Sequence, residues 1–211
     1  MSDISKYIIM CGGMYNRWTT PKQLNVVNGE PIVVRTIRLL RENGVTDISI
    51  SSNHEAFETL GVPVLHHDNH YGKGGMWVDA FYPTDDPVCY IFGDVVFSPE
   101  AIKTIVETDT DDIEFFASAP PFAENYIKPW AEPFAFKVRD QQHLKNAVAK
   151  VKEIKDSFRR DPIAWELWQV IKDTPINKID YTNYTKINDY TCDVDNKRDV
   201  VKFNNEVFGG Q

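Results

Sequence analysis

The sequence predicts one α/β domain over residues 1–211, built as a mixed, mostly parallel β-sheet between two layers of helices. In the first half of the chain, short apolar runs alternate with helical segments, which is typical of parallel strands joined by crossover helices. The second half is less regular, and this favours a sheet that is mixed rather than wholly parallel. No repeat, low-complexity tract or linker divides the chain. Ligands of such sheets bind beyond the carboxyl ends of the strands.

The elements of the first half are predicted from apolar runs and from the residues that start and stop helices. Pro31 suits the first position of a helix that Gly44 can close. Ser98 and Pro99 are the predicted cap and first residue of a later helix. The predicted strands are 7–11, 47–52, 62–65 and 87–92, and the predicted helices are 31–44, 74–82 and 98–108.

The second half is predicted to start with two strands and to continue mainly with helices. Asp161 is the predicted cap and Pro162 the first residue of an amphipathic helix that reaches Ile171. The predicted strands are 112–119, 133–138 and 187–195, and the other predicted helices are 141–158 and 197–208.

The composition argues against several classes of protein. A formal net charge of −8 is unlike that of a nucleic-acid binder, which normally presents a basic face. No run approaches the roughly 18 apolar residues of a membrane span, and the start MSDISKY lacks the pattern of a secretory signal. Three scattered cysteines fit a reducing compartment. We therefore expect a cytoplasmic protein that binds neither nucleic acid nor a membrane.

The stretch MCGGMYNRWTTPKQL, residues 10–24, has the residue types that hold phosphate. Gly12 and Gly13 follow an apolar strand and allow the main chain to approach an anion closely. Arg17 offers a planar fork for phosphate oxygens and Lys22 a compact charge. Neither the Walker A pattern nor the dinucleotide fingerprint fits, since the next helix begins 18 residues after Gly13. Taken alone, the glycines are equally compatible with a tight turn beside two solvated basic residues.

The longer pattern CGG…R…PKQL…NGEP resembles the signature of nucleotidyltransferases with a GT-A-like fold. That group includes sugar-1-phosphate nucleotidyltransferases, cytidylyltransferases for phosphocholine and for methylerythritol phosphate, and molybdopterin guanylyltransferases. Cys11 stands for the signature's alanine, and Tyr15 stands where the family has a glycine. The matching positions are Gly12, Gly13, Arg17, Pro21, Lys22, Leu24, Gly29, Pro31 and Ile32.

The resemblance implies a Rossmann-like, three-layer α/β/α fold and a Mg²⁺-dependent enzyme. The implied reaction joins a nucleoside triphosphate to a phosphorylated sugar, polyol or amino alcohol and releases pyrophosphate. The form PKQ favours CTP or another pyrimidine nucleotide, and the family suggests a role in making precursors of cell-surface glycans. Lys22 and Arg17 are the implied catalytic residues. The implied nucleotide-binding residues are Met10, Cys11, Gly12, Gly13, Lys22, Gly74, Gly75 and Asp94.

Aspartates near strand ends are the candidate ligands of Mg²⁺, which prefers carboxylate and phosphate oxygens. Asp94 follows the apolar strand of CYIFGD and matches the family's metal-binding GD, although a turn aspartate would look the same. CDVDNKRDVVKF resembles the family's late acidic element, which makes Asp195 the second implied ligand and Asp193 its alternative. Asp199 matches an acid at a helix start, where it would favour the helix dipole.

The segment KPWAEPFAFKV holds the candidate acceptor-binding residues. Family members often use a lysine and a glutamate in this region, and we expect Lys137 and Glu132 rather than Lys128, because a lone lysine in an apolar strand needs a partner. Lys137 could equally lie on an exposed face. The aromatic residues of this half fit a pocket or the face of a homodimer; they are Phe115, Phe116, Tyr126, Trp130, Phe134 and Phe136.

Three other interpretations stay open at this stage. His66, His67 and His70 invite a zinc site, but a surface loop is favoured because no further ligands lie near them in the sequence. The triplet DVD at 193–195 is the metal motif of GT-A glycosyltransferases. Tyr15 in place of glycine is compatible with a nucleotide-binding protein that no longer catalyses.

Overall fold

The computed structural model describes residues 4–12, 18, 20–67, 77–158 and 161–209. Eleven strands are found in this part of the chain: β1 (Lys6–Met10), β2 (Val26–Val27), β3 (Glu30–Pro31), β4 (Asp47–Ser51), β5 (Val64–Leu65), β6 (Val88–Phe92), β7 (Val95–Val96), β8 (Ile113–Ala117), β9 (Pro133–Val138), β10 (Thr185–Lys186) and β11 (Cys192–Asp193). The helices there are α1 (Ile32–Glu42), α2 (Pro99–Glu107), α3 (Gln141–Phe158), α4 (Ala164–Ile171) and α5 (Lys197–Lys202).

Seven of the described strands form the main sheet, in the order β10-β8-β9-β6-β1-β4-β5. β1 pairs in parallel with both β4 and β6, and β4 pairs in parallel with β5. β9 is antiparallel to its neighbours β6 and β8. The prediction of a mixed, mostly parallel sheet is confirmed. The antiparallel β9 matters for the site, because its first residues lie at the edge where β6 ends.

Helices cover both faces of the sheet, and the alternation of side chains along β1 shows how. Tyr7 and Ile9 pack with residues of α1 and α2 in one core, whereas Ile8 and Met10 pack with residues of α3 and α4 in another. Both cores consist of fully buried aliphatic and aromatic side chains. The three-layer α/β/α arrangement follows from this period of two.

Most of the predicted helix-capping and turn residues have the predicted role in the structure. The Ser98 hydroxyl accepts a hydrogen bond from the Ala101 N–H at 2.9 Å and caps α2. Asn28 and Gly29 have φ of 52° and 76° and form the two-residue turn between β2 and β3. Positive φ at both positions is what such a hairpin turn requires. Strand β9 and helix α3 have the predicted bounds.

Three elements of the second half of the chain differ from their predictions. Helix α4 begins at Ala164 rather than Pro162, with the Ile163 N–H donating to Glu166 Oε2 at 2.8 Å, and all its residues are buried instead of one face. The predicted strand 187–195 is reduced to β11, which pairs only with the short β7. The last helix stops at Lys202, and a π-helical turn, Phe203–Val207, follows it.

Most of the aromatic side chains predicted to line a pocket or a dimer face belong to the core. Phe115, Phe116, Phe134 and Phe136 are fully buried, because β8 and β9 lie inside the sheet with helices over them. Tyr126 is half-buried and Trp130 is exposed. The predicted helix 74–82 is a short 3-10 turn, Trp77–Ala80, within the described residues. No helix in the described ranges is long and apolar enough to cross a membrane.

Candidate active site

The candidate site lies at the edge where the parallel strands β1 and β6 end. The Gly93 N–H, just after β6, donates to Met10 O at 3.0 Å at the end of β1. A Cβ atom on Gly93 would lie 2.6 Å from both Met10 O and Cys11 Sγ. Only glycine therefore lets the two strand ends approach this closely, and Asp94 follows directly at the edge of the sheet.

Lys22 reaches Asp94 from a short 3-10 turn, Lys22–Leu24, which is tied to the start of α1. Asn25 donates its backbone N–H and its side-chain amide to Lys22 O, at 3.1 and 2.8 Å, and accepts from the Ile32 N–H at 3.1 Å. The ammonium forms an ion pair with Asp94 Oδ2 and lies 4.0 Å from Asp195 Oδ1.

The carboxylates around Lys22 determine its protonation. Burial disfavours the charged form, but the charge and hydrogen bond of Asp94, with the charges of Asp193 and Asp195, outweigh it and raise the pKa of Lys22 above its usual value. The side chain is one quarter exposed. Lys22 is therefore an ammonium at neutral pH that still faces solvent, as a phosphate-binding group must.

The late acidic element reaches the site through β11. Cys192 and Asp193 pair with Val96 and Val95 of β7, and the Val194 N–H donates to Asp94 O at 2.9 Å. These contacts bring Asp193 and Asp195 beside Asp94. Asp199 does not join them: its Oδ2 accepts from the backbone N–H groups of Asp195 and Asn196, at 2.9 and 3.1 Å, and caps α5 as an acid in the first helical turn.

Lys128 is the most buried charge of the site. Its ammonium contacts Asp193 Oδ1 and lies 3.1 Å from Glu132 Oε1 and 2.7 Å from Asp195 Oδ2. Its side chain is 3 % exposed, so these three carboxylates replace the water it would otherwise need. Burial lowers the pKa of Lys128, but the charges of Asp193 and Glu132 raise it by more, and the group stays protonated.

The site carries more negative than positive charge. The described charged groups that meet here are four carboxylates, Asp94, Glu132, Asp193 and Asp195, and two ammonium groups, Lys22 and Lys128. Burial, followed by the charge of Glu132, raises the pKa of Asp193 well above its usual range, and burial also raises the pKa of Glu132. Burial would raise the pKa of Asp195 as well, but Lys128 and Lys22 together lower it.

The donor set fits a hard divalent cation. Carboxylate oxygens of Glu132, Asp193 and Asp195 lie within 4.8 Å of one another, and this is the group of possible ligands found among the described residues. Oxygen ligands of this kind are those that Mg²⁺ prefers. His66 and His67 are not part of this group; the His67 ring contacts Asp79 O at 2.7 Å.

The structure brings together most of the residues that the sequence predicted for the site. Lys22, Asp94, Asp195 and Glu132 lie near one another, and Met10, Cys11 and Gly12 are at the end of β1 at the same edge. Asp193, the alternative to Asp195, is also present. The predictions on Gly13, Tyr15, Arg17, His70, Gly74 and Gly75 lie outside the described residues.

Lys137 is not at this edge. It pairs in register with Cys89 near the start of β6, whereas the site lies beyond the end of that strand. Its ammonium donates to Val106 O and Thr108 O, at 3.0 and 2.5 Å, where α2 ends. A lysine beside the last carbonyls of a helix has a structural role that fully accounts for its burial.

Lys128 is the residue that sequence reasoning passed over. The sequence does carry one signal, the spacing of four between Lys128 and Glu132 just before a strand. That spacing becomes informative only when β9 is known to run antiparallel to β6, because this direction brings the residues preceding β9 to the edge of the sheet that holds the candidate site.

Comparisons with known proteins agree with this fold. A family model, the MobA-like NTP transferase domain, matches residues 7–160. No curated protein matches the chain.

Three solved structures share the fold at low identity. The chain is similar to a candidate glucose-1-phosphate thymidylyltransferase from Bacillus anthracis, with a TM-score of 0.62, 19% identity and coverage of 94% of this chain and 93% of that one. An inositol-1-phosphate CTP transferase from T. maritima has a TM-score of 0.55, 17% identity and coverage of 96% of each chain. CTP:phosphocholine cytidylyltransferase from Streptococcus pneumoniae has a TM-score of 0.56, 16% identity and coverage of 96% and 98%. With the family model matching well over half of its residues, the chain belongs to the family of MobA-like NTP transferase domains.

Proposed function

We propose that the protein transfers a nucleotidyl group from a nucleoside triphosphate to a phosphorylated small molecule and releases pyrophosphate. The observation that carries this proposal is the contact of Lys22, from the 3-10 turn before β2, with Asp94, just after the end of β6, with Asp195 beside them. A cation for phosphates and carboxylates for a metal meet at the edge where sheets of this class bind ligands.

The reaction requires little proton transfer. An oxygen of the acceptor's phosphate, already ionised at neutral pH, attacks the α-phosphorus of the triphosphate. A phosphorus–oxygen bond forms, the bond from the α-phosphorus to the bridging oxygen of the β-phosphate breaks, and pyrophosphate leaves with that oxygen. Catalysis then consists of positioning and of stabilising charge on the phosphates. Lys22 supplies positive charge for this, together with Arg17.

Mg²⁺ is the proposed cofactor, held by Asp94 with Asp195 or Asp193. When bound, it neutralises phosphate charge and aligns the displacement. Asp94 and Asp195 both lie beside Lys22, so the metal and the ammonium would address the same phosphates. Lys128 is too buried to bind substrate, and we assign it the role of holding Glu132, Asp193 and Asp195 in place.

The proposed nucleotide and acceptor are inferred from the sequence motif PKQ and from the structural neighbours. CTP or another pyrimidine nucleotide is favoured, because PKQ is typical of cytidylyltransferases and two of the structural neighbours are named for CTP. Glu132 is kept as an acceptor-side residue, and Lys137 is not. A role in glycan precursor synthesis, a homodimer and a cytoplasmic location complete the proposal; three buried cysteines that form no disulfide suit the last.

The first test is pyrophosphate release with Mg²⁺, with each of the four nucleoside triphosphates combined with a panel of phosphorylated sugars, polyols and amino alcohols. We expect one triphosphate and one acceptor class to be required. Lys22→Ala and Asp94→Ala should each lower kcat by roughly 100–1000-fold, the usual cost of one charge-stabilising group. Chelation of divalent cations should abolish release.

Two matched variants serve as controls for these losses. Lys103→Ala removes an exposed lysine that pairs only loosely with Glu107, at 3.8 Å, and Asp85→Ala removes an exposed aspartate that pairs with Lys145. Both should keep the wild-type rate. Nucleotide binding without release from any mixture would contradict the proposal and indicate a binding protein instead.

A further inference from the structure

A large cavity adjoins the candidate active site. Its volume is about 660 Å³, and it shares Glu132 and Asp195 with the carboxylate cluster. The other described residues that line it come from the end of β6, from the segment before β9, from the start of α4, from the segment between α4 and β10 and from the 3-10 turn that contains Trp77. Its position beside the metal ligands places it where the organic part of an acceptor would extend from its phosphate.

Five aromatic side chains line this cavity. They are Trp77, Phe92, Trp130, Trp165 and Tyr181. Two of them, Trp130 and Tyr181, are 53 and 44 % exposed. Five large apolar side chains are exposed in the described part of the chain, and three of them line this one cavity. Such a concentration of exposed apolar surface at a cavity is typical of a binding site.

The charge of the wall is negative. Glu132, Asp161 and Asp195 line the cavity, and its described lining contains no lysine, arginine or histidine. The Lys128 ammonium, which is not part of the lining, pairs with Glu132 and Asp195, so the three carboxylates still outnumber the one cation beside them. Aromatic faces carry negative potential and attract cations, most strongly those that are weakly hydrated. Aromatic rings and carboxylates around one space therefore favour a cationic occupant over a neutral or anionic one.

Part of the hydrogen-bonding capacity of the wall is already used. The Trp77 indole N–H is bonded to Pro162 O, and the Glu132 carboxylate accepts from Lys128 and Trp130, whereas the Trp165 indole N–H has no partner among the described residues. Each hydroxyl group of a buried sugar or polyol needs a hydrogen-bond partner, or its burial costs free energy. A methylated ammonium needs no such partners.

We propose that this cavity binds the organic group of the acceptor and that this group is a methylated ammonium. The inference rests on the proposed function and narrows its acceptor to a phosphorylated amino alcohol with a quaternary nitrogen. The phosphate would face Lys22 and the metal ligands, while the ammonium would lie against Trp130 and Tyr181.

The decisive comparison uses two acceptors of nearly the same shape. One is phosphocholine, and the other is its neutral analogue, in which carbon replaces the quaternary nitrogen. With Mg²⁺ and the preferred triphosphate, kcat/KM from pyrophosphate release should be at least about tenfold higher for phosphocholine, since each ring contributes to cation binding. A preference for a hexose phosphate or a polyol phosphate, or equal use of the two matched acceptors, would overturn the inference while the proposed function stands.

Two variants at Tyr181 distinguish the effect of its aromatic ring from the effect of its size. Tyr181 contacts Trp165 edge to face at 4.8 Å between ring centroids, and it lies at the exposed mouth. Tyr181→Phe keeps the ring and should keep the ratio of kcat/KM between the two acceptors. Tyr181→Leu should lower this ratio by about 3–10-fold by reducing phosphocholine use alone. Val201→Ala, at an exposed residue outside the cavity, is the control. An unchanged ratio in Tyr181→Leu would count against the inference.

A binding measurement keeps this test independent of turnover. Calorimetric titration with phosphocholine, without nucleotide, should show binding that is weaker in Tyr181→Leu than in Tyr181→Phe. If no mixture releases pyrophosphate, the proposed function fails, and the titration alone decides on the cavity. Absence of binding would then overturn the inference as well.

Discussion

Lys128 depends for its role on contacts from two distant parts of the chain. Glu132 is four residues away in the chain. Asp193 is the last residue of β11, and Asp195 lies two residues after it. A buried ammonium among three carboxylates is stable only while the whole set is present, because each charge has given up water. The ring of Trp130, whose centroid lies 5.7 Å from the ammonium, adds a smaller favourable contact.

Replacement of Lys128 by methionine should therefore destabilise the protein strongly. We expect the free energy of unfolding to fall by about 3–5 kcal/mol, because the variant leaves buried carboxylates without a partner. Denaturant unfolding at neutral pH measures this loss. Adding Asp193→Asn to Lys128→Met should recover part of it, since the two groups are in contact.

A lysine at an exposed position serves as the control for the loss of stability in Lys128→Met. Lys103→Met, at an exposed position on α2, should change stability by no more than about 0.5 kcal/mol. A similarly small loss in Lys128→Met would show that the carboxylates do not depend on the lysine.

At the scale of elements, Gly93 controls how closely the ends of β1 and β6 approach. The atoms that a Cβ would meet include Met10 O, which belongs to the backbone and cannot rotate away. Gly93→Ala should destabilise the fold by about 1–3 kcal/mol and displace Asp94, so that kcat for pyrophosphate release falls as well.

Gly44→Ala is the matched variant for this prediction. Gly44 follows α1 with φ of 82°, and a Cβ there meets nothing within 4 Å. The Gly44→Ala variant should lose about 1 kcal/mol of the free energy of unfolding, from backbone strain alone, and should keep its activity. Equal activity in the two alanine variants would contradict the role assigned to Gly93. Unfolding curves and pyrophosphate release measured on both proteins decide the matter.

At the scale of the whole molecule, the three cysteines are buried and form no disulfide, and burial links their ionisation to the stability of the fold. Burial raises the pKa of Cys89 to about 12, with a small opposing effect of Lys137. The unfolded thiol ionises near its usual pKa of about 8.5. The native state therefore holds a proton that the unfolded state has released between these two values, and stability falls as pH rises through this window.

Comparison of the wild type with Cys89→Ala isolates this effect. Between about pH 8 and pH 10 the wild type should lose about 1–2 kcal/mol more stability than the variant, as expected for one thiol. Denaturant unfolding at the two pH values gives both losses, and the constant cost of the cavity in the variant cancels between them. Equal losses would show that the thiol is not protected from ionisation in the native state.

The sequence by itself determined most of the elements and part of the site. Strand β9 and helix α3 were predicted with their observed bounds, because their patterns depend on neighbouring residues. The prediction for the start of α4 was wrong by two residues: Asp161 and Pro162 are local start signals, but the bond between Ile163 and Glu166 and burial on all sides decide the observed start. Asp94 was predictable because it follows an apolar strand directly.

Only the tertiary structure decided between Lys128 and Lys137. Both belong to the segment that leads into and through β9, and both are buried with partners. The direction of β9 decides where each lysine lies. The beginning of β9 is at the edge of the sheet that holds the candidate site, and its end is near the start of β6. Strand direction depends on pairing with residues far away in the chain, and local sequence does not carry that information. The same long-range pairing, between β7 and β11, brought Asp193 and Asp195 to Asp94.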